Sequence, residues 1–369
     1  MYIILQNGLP RNDFFNRIAK KSKEYNFLMP DQLVSNIAER VTIRHVAEDA
    51  GVSVAAVSKV LRSAYGVSDQ LRLKVEASIE KLNYRPSFAA RGMRGKTYTI
   101  GILVIELTNP FLPGVIESAN QRLSEGGYKS LVGVGRSVTQ LEASMIEAMI
   151  DNRMDGILLI APRTSGKLLE KFARQIPIVA VAHHEKNALT FDTVNSDDRT
   201  GGRLAVQALL SRGCSDIVMV GYDMSTSEAS EVAIQREAGY MDAMKAAGFE
   251  AKARIFRLPA PGEERAQAID QFISAEKLPD AVFVWSDLDA IPLLSACRAR
   301  GIRVPEDMAI IGYDNSPPAA IPLVGLSSVD QDQPRLGGAA AEMLISRIEG
   351  RRKAEHLLIE PHLALRASC

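Results

Sequence analysis

The side chains best placed for chemistry in this sequence stand directly after short apolar runs. Asn109 and Phe111 follow GILVIELT, His183 and His184 follow IPIVAVA, and Tyr222 and Asp223 follow DIVMVG. Ser286 and Asp287 follow AVFVW, and Asp314 follows IIGY. Amide, imidazole, hydroxyl and carboxylate groups beside aromatic rings suit recognition of a small polar ligand by hydrogen bonds and stacking. Trp285, the only tryptophan, ends its run among these residues, where it either stacks on a ligand ring or packs in the core. Metal chemistry is poorly served: adjacent histidines point in different directions, so His183 and His184 with Asp197 and Asp198 downstream make no ligand pattern. Cys214, Cys297 and Cys369 are scattered and odd in number, which points to a reducing, cytoplasmic compartment rather than a disulfide or zinc framework. Gly133-Val134-Gly135 lacks the third glycine of a dinucleotide loop and follows the second strand-like run, so an enzyme of Rossmann type is only a remote alternative. No catalytic residue, cofactor or metal is expected.

The elements that position these residues read as alternating strands and helices. β-rich runs at 100–105, 130–134, 156–160, 178–181, 217–220, 281–285 and 309–311 are separated by helical segments, several ending on glycine where a left-handed C-cap is needed. Near-continuous apolar strands imply buried parallel sheets, and the stretch from residue 97 to 369 is longer than one such sheet needs. The expectation is an α/β body of two Rossmann-like lobes, with a ligand in the cleft beyond the carboxyl ends of the strands. The N-terminal MYIILQNGLPRND has too short an apolar run for a signal peptide, and no stretch approaches the length of a membrane span, which argues against an exported binding protein.

A different pattern precedes this body. In VTIRHVAEDAGVSVAAVSKVL, Ile43, Val46, Ala47 and Ala50 mark one face of a short helix, Gly51 breaks it, and Ser53 caps a second helix with Val57, Val60 and Leu61 on its inner side. Ser68 and Asp69 open a third helix striped by Leu71, Val75, Ile79 and Leu82. Two short helices joined by a tight glycine turn suggest a helix-turn-helix, whose second helix enters the DNA major groove. Charge agrees: residues 41–96 hold ten Lys/Arg against five Asp/Glu in a chain that is neutral overall. Positive charge concentrated in one small unit is the footprint of a phosphate-backbone partner.

These residues, the following VSDQLRLKVEASIEKLNYRPS and the later TIGILVIELTNPF closely resemble the lac-repressor (LacI/GalR) family of bacterial transcription regulators. The resemblance implies a headpiece at residues 41–85, a hinge helix and linker at 86–96, and a two-lobed effector-binding and dimerisation domain at 97–369, similar to periplasmic sugar-binding proteins. Its lobes are expected at 97–195 with 325–355, and at 196–324 with 356–369, the chain crossing near Asn195, Val324 and His356. It also implies that Arg236 in QREAGY and Asp314 in GYDN bind the effector, that Ser286 stands where Asn is usual, and that Gln331 faces the cleft. Where relatives carry an Asp-Arg pair, this chain has His183-His184, which removes a carboxylate that commonly holds sugar hydroxyls and tilts the expected ligand from sugar toward sugar acid.

By the same resemblance Val54 and Ala55 begin the recognition helix, too short and apolar for bidentate readout, and Lys59 reaches either a guanine edge or a phosphate. Thr42, Arg44, Ser53 and Ser58 are expected on the backbone, while Arg91 and Met93 belong to the hinge, Met93 as the minor-groove wedge. The partners implied are a palindromic double-stranded operator, a second copy of the chain and a small effector, the alternative effector being a partner protein. Residues 1–40 fall outside the resemblance and read as a disordered extension or an overextended start, with a flexible arm or extra dimer contact as the functional alternative.

Overall fold

The computed structural model describes residues 41–61, 64–85, 95–222, 231–260 and 262–369. The expected extension at 1–40, the hinge residues Arg91 and Met93, and Asp223 lie outside the described residues. The chain divides between Ser87 and Phe88 into two units.

The first unit packs three helices, α1 (Ile43–Asp49), α2 (Val54–Leu61) and α3 (Asp69–Lys81). Gly51 takes φ +60°, the left-handed turn that a side chain resists, and so ends α1. Ser53 Oγ then accepts the Ala56 N–H at 3.1 Å, and Ser68 Oγ accepts the Leu71 N–H at 3.3 Å, capping α2 and α3. Val46, Val57 and Val75, one from each helix, are fully buried and share a core with Ala47, Ala50, Val60 and Tyr84. Across that core the Asp49 carboxylate accepts from Ser78 Oγ (2.8 Å) and Lys81 Nζ (2.6 Å), pinning the end of α1 to α3.

The second unit holds two six-stranded sheets. The first has the order β2 (Lys129–Val134), β1 (Thr99–Val104), β3 (Gly156–Ile160), β4 (Ile178–Val181), β5 (Asp192–Ser196), β11 (His356–Ile359), all parallel. The second has the order β7 (Arg254–Leu258), β6 (Ile217–Tyr222), β8 (Ala281–Val284), β9 (Ala309–Tyr313), β10 (Ser327–Asp330), β12 (His362–Ala364), with only β12 antiparallel. Strands β1, β3, β4 and β8 are buried along their whole length, as sheets covered by helices on both faces require.

Two of the three expected lobe crossings shift. Because β10 pairs with β9, the chain stays in the second lobe past Val324 and leaves only at Gln331 and Asp332. Because β11 pairs parallel with β5, His356–Ile359 belongs to the first lobe, and the return falls at Glu360 and Pro361. Residues 325–330 and 356–359 therefore lie in the opposite lobes to those expected. The first crossing follows β5, between Ser196 and Asp197.

Three helices frame the cleft: α4 (Phe111–Glu125) after β1, α7 (Asp198–Ser211) after β5, and α8 (Glu231–Ala246) after β6. A glycine seam lets α7 and α8 meet backbone to backbone. A Cβ on Gly239 would stand 2.1 Å from the Arg199 carbonyl oxygen, and one on Gly202 would stand 2.4 Å from that of Arg236. This close approach brings the first residue of α7, Asp198, within reach of Arg236 on α8.

Candidate functional site

A cavity of about 310 Å³ opens between the lobes of the second unit, beyond the carboxyl ends of its strands. Its first-lobe wall comes from the segments after β1, β3 and β4, and its second-lobe wall from α8, the end of β8, the end of β9 and Gln331. The volume is at the small end of the range for ligand pockets, enough for a compact metabolite.

Arg236 organises this cavity. Only 4% exposed, it donates from Nε to Asp198 Oδ1 at 2.8 Å and from Nη1 to the Trp285 carbonyl at 2.6 Å, and its Nη1 lies 3.6 Å from Asp314 Oδ1. The guanidinium carbon also sits 3.6 Å above the centre of the Tyr313 ring. Burial works against its charge, yet Asp198, Tyr313 and Asp314 hold its pKa above the ordinary arginine value. The second oxygen of Asp198 meets His184 Nε2 at 2.8 Å. Burial opposes ionisation of Asp198, but Arg236 and then His184 outweigh it and keep this carboxyl below the usual range.

Asp314 forms the second node. Its carboxylate accepts from Ser286 Oγ at 2.7 Å and Gln331 Nε2 at 2.7 Å, and Asn109 Nδ2 approaches across the lobe boundary at 3.5 Å. Burial pushes its pKa up to about 6 against the pull of Arg236. Asn109 also accepts the Phe111 N–H at 2.9 Å through Oδ1, which ties it to the first residue of α4 and fixes Phe111 in the wall. From His184 through Asp198, Arg236 and Asp314 to Asn109, one polar chain starts in the first lobe, runs through the second and returns.

His183 lines the cavity, its main chain gripped by Asn195, which accepts from the His183 N–H at 2.7 Å and donates to its carbonyl at 3.1 Å. Its ring Nε2 is buried with no hydrogen-bond partner among the described residues. Burial, then the neighbouring His184, push its pKa down to about 4, so the ring is neutral at physiological pH. Trp285 faces the cavity, and its indole N–H donates to Asp289 Oδ2 at 2.8 Å, which sets the plane of the ring.

The structure gathers Asn109, Phe111, His183, His184, Arg236, Trp285, Asp314 and Gln331 around one space. Ser286 and Asp287 do not line it. Ser286 is fully buried behind Asp314 and caps α10 (Asp287–Ala299), while Asp287 accepts from the Ser316 N–H (2.7 Å), Ser316 Oγ (2.9 Å) and Ser328 Oγ (2.7 Å). Burial, then Asp314 beside it, push Asp287 up to about 7. Sequence reasoning weighed Asp198 only as a metal ligand beside His183 and His184 and missed its part here, and it missed that of Glu142. The buried Oε2 of Glu142 takes the Arg163 N–H, the Thr164 N–H and Thr164 Oγ1, each at 2.9 Å, and so holds the wall after β3.

On the first unit, Val54, Ala55 and Lys59 are exposed on α2 while Val57 and Val60 face inward. Thr42, Arg44 and Ser53 are exposed as well, and Ser58 is half-buried. Two apolar side chains, two cations and several hydroxyls thus share the outer side of the helix pair.

A three-helix unit of this type followed by a two-lobed α/β body with a polar interlobe cavity defines a ligand-responsive DNA-binding regulator. Residues 42–87 match the bacterial regulatory proteins of the lacI family, and residues 206–369 match the periplasmic binding protein-like domain. The chain is 30% identical over 332 residues to the HTH-type transcriptional repressor PurR of Photobacterium profundum, covering 89% of this chain and 98% of that one. It is 31% identical over 312 residues to PurR of Vibrio atlanticus, covering 84% and 92%. Among solved structures it resembles the transcriptional regulator CelR–cellobiose complex (28% identity, TM-score 0.64, 89% and 100% covered). It shares its fold with the lac repressor dimer bound to operator and the anti-inducer ONPF (23% identity, TM-score 0.77, 89% and 99% covered). The chain belongs to the lacI family of bacterial regulatory proteins and is a DNA-binding transcriptional regulator. Among the described residues no helix is long and apolar enough to cross a membrane.

Proposed function

We propose that this regulator represses transcription in the cytoplasm as a homodimer on a palindromic operator, and that a small polyhydroxylated molecule of the sugar class, held between its lobes, sets its operator affinity. The observation that carries this reading is the polar chain from His184 to Asn109, which draws on both lobes around a cavity of about 310 Å³. A ligand hydroxyl that enters this chain exchanges bonds with both lobes together, so occupancy and lobe geometry are linked. The effector then moves the DNA-binding equilibrium by its differential affinity for the two lobe arrangements, and by no more than that. A relative at 28% identity that is described with cellobiose supports the ligand class.

Val54 and Ala55 meet thymine methyls, Lys59 reaches a guanine edge, and Arg44 with Thr42, Ser53 and Ser58 fixes register on phosphates. Arg91 and Met93 act in the minor groove. The protein works by binding, without a chemical step of its own. Operator selection from random duplexes, followed by thermal denaturation with mono- and disaccharides, tests both halves. An inverted repeat and at least one stabilising sugar are expected. Equal binding to every duplex would refute the regulator's specificity, and stabilisation by no small molecule would refute the cleft reading in favour of a partner protein.

A further inference from the structure

An arginine in a sugar cleft invites an anion, but the surroundings of Arg236 argue the reverse. Its guanidinium is 4% exposed, bonded to Asp198 and to the Trp285 carbonyl, close to Asp314 and stacked on Tyr313. Two carboxylates already answer its one charge. Three further carboxylates, Glu106, Glu185 and Glu231, line the same cavity and have no ion-pair partner among the described residues. Among the described residues the other lining cation is Arg163. Five carboxylates, counting Asp198 behind the wall, therefore face two guanidinium groups. Counting His184 as charged leaves the balance negative, and His183 adds no charge because its buried ring is neutral. A ring nitrogen in the wall with no partner among the described residues, His183 Nε2, marks the same space as built for a ligand.

We infer that the cleft ranks ligands of one carbon frame by charge, with an amine-bearing molecule bound tightest, its uncharged counterpart next and the carboxylate or phosphate last. This rests on the small-ligand reading of the cleft. A carboxylate placed among Glu106, Glu185 and Glu231 meets repulsion in a partly desolvated space, whereas a protonated amine supplies the counter-charge those groups lack. The expected effector is accordingly an amino sugar or a similar hydroxylated amine, in place of the sugar or sugar acid expected from the sequence.

The single tryptophan makes the field in the cavity measurable before any effector is known, because Trp285 lines it. The full-length protein is titrated with acrylamide, caesium and iodide, and quenching of Trp285 is normalised to free N-acetyltryptophanamide. Acrylamide is expected to quench, with the caesium constant about threefold above that of iodide at low salt and the ratio falling toward one as salt screens the field. Glu106→Gln and Glu231→Gln are each expected to narrow the gap. Iodide quenching as strongly as caesium would overturn the charge ranking while leaving the cleft intact, and failure of acrylamide to quench would overturn the cleft itself. A second titration follows Trp285 emission with glucosamine, glucose and glucuronate. Affinity falling in that order by tenfold or more from first to last supports the ranking, and glucuronate binding as tightly as glucosamine, or glucose as tightly as either, overturns it.

Discussion

Replacing Arg236 by methionine removes the charge at the centre of the cleft while keeping much of the side chain's length. Asp198 is 2% exposed and would then keep His184 as the one side chain among the described residues bonded to a carboxylate buried in protein. Breaking one side of a buried ion pair costs about 3–5 kcal/mol, because the stranded charge is desolvated and uncompensated. Loss of the stacking on Tyr313 adds to this, so the larger end of the range is expected. For a body of this size each kcal/mol lowers the midpoint by roughly 2–4 °C, so Arg236→Met should melt roughly 10 °C below the parent. The informative partner is Asp198→Asn, which removes the stranded charge. In a double-mutant cycle followed by thermal and urea denaturation, the pair should be less harmful than the sum of the singles by about 2 kcal/mol or more. Arg236→Met should also abolish the effector response while operator binding in the absence of effector persists. A loss under about 1 kcal/mol, or additive singles, would refute the argument that Arg236 and Asp198 neutralise one another.

Lys59→Ala should relax preference at one operator position, whereas Arg44→Ala should weaken binding to all duplexes, and anisotropy titrations on matched and scrambled sites separate the two outcomes. Gly239→Ala should destabilise by about 1–3 kcal/mol, since its Cβ meets the Arg199 carbonyl at 2.1 Å, and should weaken effector binding by moving Arg236 away from Asp198. Gly51→Ala should cost the headpiece about 1 kcal/mol or more through its φ of +60°, seen as a lower headpiece midpoint and weaker operator binding. The pH dependence has two opposing parts. His183, depressed from 6.5 to about 4, contributes stability that is present above pH 6.5 and lost as pH falls toward 4. Asp314 and Asp287, raised from 3.8 to about 6 and about 7, contribute stability that is present in acid and lost as pH rises through that window. Two carboxyls against one imidazole leave the folded state holding the extra proton, so the parent midpoint should fall as pH rises between about pH 4 and 6, and that of His183→Gln should fall more steeply over the same window. A flat profile for that variant would contradict the assignment.

The apolar strands were legible in the sequence because burial on both faces leaves no polar position to confuse the pattern, as in GILLI and IVAV. Strand β5, DTVNS, is buried throughout yet mostly polar, since Asp192 pairs with Arg347 and Asn195 holds His183. No periodicity announces such a strand. The late strands β10, β11 and β12 are three or four residues long, and their pairing is settled by partners far away in sequence, which is why the lobe crossings moved. At the site, position after a strand was enough to find Asn109, His183, Trp285 and Asp314. It could not distinguish Asp314, which lines the cavity, from Asp287, which turns toward Ser316 and Ser328. Nor could it foresee that Arg236 is engaged by Asp198, because that contact depends on two helices meeting along Gly202 and Gly239.

Both sheets receive an edge strand after residue 355, His356–Ile359 for one and His362–Ala364 for the other, with Glu360 and Pro361 between them. A nascent polypeptide that has emerged only as far as Glu355 would therefore present two unfinished edges at once. Completion of both sheets thus falls late in synthesis, and a protease or chaperone acting before it would meet each half with an edge strand missing.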